Sequence, residues 1–95
     1  MQNLDNQILK NYFKDKRYDD CIRILKNKIT TFVINQIQEK DSTISFTTVS
    51  DLISASEFYL GTSTVSQSLQ YALSLDDKIE KIEALTSICE QYNIK

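Results

Sequence analysis

Histidine, proline and tryptophan are absent from this 95-residue chain, glycine occurs once and cysteine twice. Without histidine, no histidine-dependent triad, histidine metal site or imidazole general base can be built from it. Cys21 and Cys89 are too few for a four-thiolate zinc site. One glycine excludes a phosphate-cradling P-loop and a dinucleotide fingerprint, which need several for close backbone approach. No run approaches the roughly 20 apolar residues of a membrane span. The opening Met1-Gln2-Asn3-Leu4-Asp5 lacks the basic and apolar regions of a signal peptide, so a cytoplasmic location is expected. In a reducing compartment the two cysteines read most simply as buried thiols.

What is present points to helices. A β-sandwich or barrel needs many turns, and turns need the glycine and proline this chain lacks. Hydrophobic residues make up 41% and charged residues 25%, near globular averages, so a folded core is expected. The length fits a single helical domain over 1–95. The expected fold is an all-α, compact bundle of about five helices.

Apolar spacing places them. The first spans Leu4 to Lys14, with Leu4, Ile8, Leu9 and Tyr12 as its apolar face and Phe13 beside it. The second, Tyr18 to Gln38, carries Tyr18, Cys21, Ile22, Leu25, Ile29, Phe32, Val33 and Ile37 on one broad stripe. Residues 39–47 read as a loop, with Ile44 and Phe46 plugging the core. Its Thr43-to-Thr47 alternation has no second alternating run to pair with. A third helix runs from Val49 to Leu60, capped by Thr48 and closed by Gly61. The Thr64-Val65-Ser66-Gln67 capping box starts a fourth, ending at Ser74. A fifth runs from Asp76 to Tyr92, with Ile79, Ile82, Leu85, Ile88, Cys89 and Tyr92 as its stripe.

Two features bear on function. Ile24 and Ile34 fall off the main stripe of the second helix, roughly 80° apart and about 15 Å along its axis. Either the bundle surrounds this helix, or Ile24, Asn27, Thr31 and Ile34 form a strip that meets a homodimer mate or another protein. The other feature is charge. Residues 1–38 hold seven Lys or Arg and four acids, a net +3, whereas residues 39–95 hold four Lys and nine acids, a net −5. Within residues 10–28, Lys14, Lys16, Arg17, Arg23 and Lys26 could contact phosphate, which makes a nucleic-acid-associated accessory protein the alternative reading. A solvated helix face is the plainer explanation, since the overall pI is near 5.0. Asp19-Asp20 and Asp76-Asp77 sit at expected helix starts, where the helix dipole favours carboxylates. The fourteen Ser and Thr of residues 42–74 have no histidine base beside them and read as caps and solvent-facing positions.

The run Lys16-Arg17-Tyr18-Asp19-Asp20-Cys21-Ile22, leading into a long amphipathic helix, resembles an early helix of HEPN domains, the higher eukaryotes and prokaryotes nucleotide-binding group. Cys21 stands at the small position of the family's Tyr-x-x-Ala type pattern. Val49-Ser50-Asp51-Leu52-Ile53 is similar to the family's helix with a short Asp-Leu element, and the helix from Asp76 to its last bundle helix. The opening part also resembles one tetratricopeptide helix, without a second repeat. The family's ribonuclease members use an arginine followed by a histidine, and with no histidine here that activity does not carry over. The resemblance implies a non-catalytic bundle that dimerises, binds a protein, or touches nucleotide or RNA.

Together these readings give an expectation of no enzyme activity, no catalytic or metal-binding residues and no cofactor. A protein partner or homo-oligomer is expected, nucleic acid is the less favoured partner, and no membrane is involved.

Overall fold

The computed structural model describes residues 4–45, 48–61 and 64–94, with the side chains of residues 4–6 and 64 outside that description. It is an all-α bundle of five helices: α1 (Leu4–Lys14), α2 (Tyr18–Gln38), α3 (Val49–Leu60), α4 (Thr64–Ser74) and α5 (Lys78–Gln91). No strand occurs among the described residues. The apolar spacing therefore placed α1 to α4 as they stand, and α5 is two residues later at its start and one shorter at its end.

The shift in α5 has a specific cause. Asp77 is the cap: its backbone is extended (φ −75°, ψ 126°) and its carboxylate accepts the Glu80 N–H at 2.9 Å. At the other end Asn93 takes the left-handed conformation, φ 53°. The Ile94 N–H then reaches the Cys89 carbonyl at 2.8 Å and the Asn93 N–H the Glu90 carbonyl at 3.3 Å. That bond pair is a Schellman closure, with Asn in the place glycine usually takes.

α1 ends in the same way. Lys16 has φ 64°, the Arg17 N–H bonds the Tyr12 carbonyl at 2.8 Å, and the Lys16 N–H bonds the Phe13 carbonyl at 3.1 Å. The single glycine is used elsewhere, at the end of α3, where Gly61 has φ 72° and ψ −157°, a region essentially closed to other residues. At the start of α3, the Thr48 hydroxyl accepts the Asp51 N–H at 3.1 Å. The expected Thr64 capping box falls on a side chain outside the described residues.

α2 is the central helix, packing on each of the other four. Its fully buried residues are Cys21, Leu25, Ile29, Val33 and Ile37. Four-residue steps drift by about 40° per step on a helix, so this buried row winds around α2 and meets different neighbours along its length. Leu52 of α3, Val65, Leu69 and Ala72 of α4, and Ile82, Leu85 and Ile88 of α5 complete the core. α5 runs parallel to α2: Lys78 pairs with Asp19 near both N-termini at 3.0 Å, and the Tyr92 and Phe32 rings lie 6.5 Å apart further on. Parallel neighbours cannot be joined by a tight turn, and α3 and α4 form the connection between them.

Two hydroxyls that the sequence suggested were caps or solvent-facing prove to be core. Ser56 and Ser66 are both buried and hydrogen-bond each other across the α3–α4 contact. Ser56 Oγ also reaches the Ile53 carbonyl at 2.9 Å. Small side chains at this crossing let the helices approach, and the mutual bond offsets the cost of burying two hydroxyls. The loop after α2 is tied down similarly. Asp41 accepts the Thr43 hydroxyl at 2.7 Å and the Thr43 N–H at 3.1 Å. The Tyr59 hydroxyl, from the last turn of α3, donates to Asp41 at 3.1 Å. Ile44 packs on the core as expected, while Phe46 lies outside the described residues.

α1 departs most from its expected face. Leu9 and Tyr12 pack on the core cluster, but Ile8 and Phe13 remain 39% and 41% exposed. The Leu4 side chain lies outside the described residues. Ile79, at the head of the expected α5 stripe, is likewise exposed.

Candidate functional site

The turn between α1 and α2 gathers the candidate phosphate-contacting residues, and the structure shows what they are doing. Arg17 Nε donates to Asp20 Oδ2 at 2.7 Å. Arg23 Nη2 donates to the other oxygen, Oδ1, at 3.2 Å. One carboxylate thus bridges two guanidiniums, one at the N-cap of α2 and one within the helix. The hydrogen bond from Arg23, followed by that from Arg17, holds the Asp20 carboxyl below its usual range despite some desolvation. Arg17 is further engaged: its guanidinium carbon sits 4.3 Å from the centre of the Tyr12 ring, a cation–π contact. A phosphate at this turn would have to compete with Asp20 for both arginines. Lys14 and Lys16 are exposed and Lys26 is half-buried. The structure therefore leaves three of the five expected cations outside the Asp20 pairing.

The expected strip on α2 is also redistributed. Ile34 packs against the core cluster, whereas Ile24 is half-buried without joining it. Asn27 and Thr31, between them, are exposed. The strip is polar and open in the middle, and its second apolar anchor is largely used inside the bundle. The cause is the position of α2: a helix with neighbours on several sides buries residues well away from its main stripe.

Three of the four residues in the acidic pairs have structural roles. Asp19 pairs with Lys78, Asp20 bridges the arginines, and Asp77 caps α5. Among the described residues, no group of three or more His, Cys, Asp or Glu is arranged to hold a metal ion. Both cysteines are free thiols. The buried Cys21 donates weakly to the Leu9 carbonyl at 3.6 Å. Burial pushes its thiol pKa up, and the nearby Asp20 charge adds to this. Burial also raises that of Cys89, with the Lys28 charge acting in the opposite direction. Thiols shifted this way hold little thiolate and are poor nucleophiles. Asp41 is stabilised as a carboxylate chiefly by the Thr43 hydroxyl, then by the Thr43 N–H and Tyr59. The same contact raises the Tyr59 pKa. These bonds anchor a loop. No helix among the described residues is long and apolar enough to cross a membrane.

Ile8 on α1 and Ile79 on α5 belong to expected apolar faces, with Phe13 beside the first, and only the number of neighbouring helices shows that they stay partly in water. Phe58 and Tyr71 are more exposed still, at 80% and 64%. They lie on the outer faces of α3 and α4, and single exposed aromatics of this kind are ordinary. Comparison of the chain with family models, with curated proteins and with solved structures finds no match.

Proposed function

We propose that this chain is a non-catalytic protein–protein interaction module that associates with a second copy of itself. The observation that carries this reading is the state of α1. Among the described residues α1 packs on α2 alone, and Ile8 and Phe13, at the two edges of its apolar arc, are about two-fifths exposed. A small bundle with a limited core gains stability by covering such residues against another folded surface. The α2 strip contributes to this reading through Ile24, since Ile34 is taken up by the core. The reading agrees with the dimerising, non-catalytic bundle implied by the HEPN resemblance.

Light scattering after gel filtration tests the proposal. The expected result is a mass near twice the 11.0 kDa of one chain, falling towards the single-chain value on dilution. A single-chain mass at every concentration up to the millimolar range overturns it.

A further inference from the structure

We infer that the contact between the two copies is made by the Phe13 flank of α1 against an acidic stripe on α5 of the second copy. This inference rests on the self-association reading above and names its surface. On α1, Lys10, Phe13 and Lys14 are all exposed, and their spacing of three and four residues places them side by side on one flank. That flank offers an aromatic residue beside two cations, with the Phe13 ring centre on one side 5.3 Å from that of Tyr18. On α5, Ile79, Glu83, Thr86 and Glu90 are exposed at steps of four, three and four, which is one continuous face. It begins with an apolar residue and carries two carboxylates. The two surfaces therefore match in kind: Phe13 with Ile79, and the two lysines with the two glutamates.

The rest of the molecule sharpens the assignment. Arg17 and Arg23 are held by Asp20, so Lys10 and Lys14 are the exposed cations of α1 that lie outside that pairing. Among the described residues α1 and α5 make no contact, so the complementary pair is not used internally there. The surface is modest, and charge matching of this sort sets orientation and encounter rate more than raw affinity. A micromolar, salt-sensitive dimer is the expected form. A twofold arrangement would use the contact twice, each copy giving its α1 flank and receiving its partner's.

Paired charge reversal tests this. The Lys10→Glu/Lys14→Glu variant should dimerise at least about tenfold more weakly than the original chain, and Glu83→Lys/Glu90→Lys likewise. Mixing the two variants should restore a dimer containing one of each, because both contacts again join opposite charges. Circular dichroism of each variant confirms the unchanged helical fold. Full-strength dimers of either variant alone, or a mixture that stays dissociated, overturn the inference. An original chain that dimerises but is dissociated by Ile24→Asp with helicity intact, and not by charge reversal, moves the contact to α2. The self-association reading would then survive without this surface. An original chain that never dimerises removes both.

Discussion

α1 and α2 have the same kind of sequence and opposite fates. Both are amphipathic, and both carry more apolar residues than one narrow stripe requires. α2 has four neighbours, and five of its residues are almost fully withdrawn from water. Among the described residues α1 has one neighbour, and Ile8 and Phe13 stay partly exposed. Amphipathicity therefore states that a helix has something to bury, while the number of surfaces around it decides how much is buried. The off-stripe Ile34 makes the same point in reverse: it packs against the core, half-buried, because α2 is surrounded.

The sharpest way to break this comparison is to remove equivalent apolar bulk from each side. Ile29→Ala, at a fully buried position of α2, should cost about 2–5 kcal/mol, enough to unfold much of a bundle this small. Ile8→Ala, on α1, should cost under about 1 kcal/mol. Urea denaturation of both variants checks the contrast. Equal losses would mean that α1 is as deeply integrated as α2.

The helix ends allow a finer comparison. Gly61 and Lys16 both have positive φ, but only Gly61 lies where other residues are essentially excluded. Gly61→Ala should destabilise by about 1–3 kcal/mol. The cause would be backbone strain alone, since an added Cβ there meets nothing within 4 Å. Lys16→Gly should do the reverse, stabilising by about 0.5–1 kcal/mol as the left-handed penalty is relieved. Thermal melts of the two variants should move in opposite directions.

The smallest expected effect is a pH dependence. Asp20 and Asp41 are both held below the usual carboxyl value of 3.8, so the unfolded chain binds more protons than the folded one in that range. Their contribution is complete above the usual value and is lost as pH falls through the lowered ones. Urea midpoints should therefore stay level from pH 7 to about 5 and decline below about 4. Asp41→Asn should make the decline shallower, and an unchanged slope would show that the Thr43 and Tyr59 bonds contribute nothing.

Much of this fold is legible in the residues. The main stripe of α2, the Thr48 cap and the Gly61 stop follow from spacing and local chemistry, which need no knowledge of neighbours. The start of α5 is less legible, because Ser74, Asp76 and Asp77 are all chemically suitable caps within four residues and only the structure shows that Asp77 takes the role. Ser56 was readable in principle, since it stands four residues after Leu52 and so on the same face. Its hydroxyl disguised it. The candidate site was less legible. Five cations in the segment 14–26 suggest a phosphate surface, yet the Asp20 carboxylate that occupies two of them lies in the same segment. Only side-chain geometry shows that it reaches both arginines at once.

The amino-acid order alone determined that the chain is helical, where most helices begin and end, and which chemistries histidine and glycine scarcity exclude. These are local matters of periodicity, capping and composition. The tertiary structure alone decided that α2 is central, that α5 lies parallel to it, and that α1 keeps an open flank. Those outcomes depend on how many surfaces compete for the same apolar area, and that competition exists only once the helices have come together.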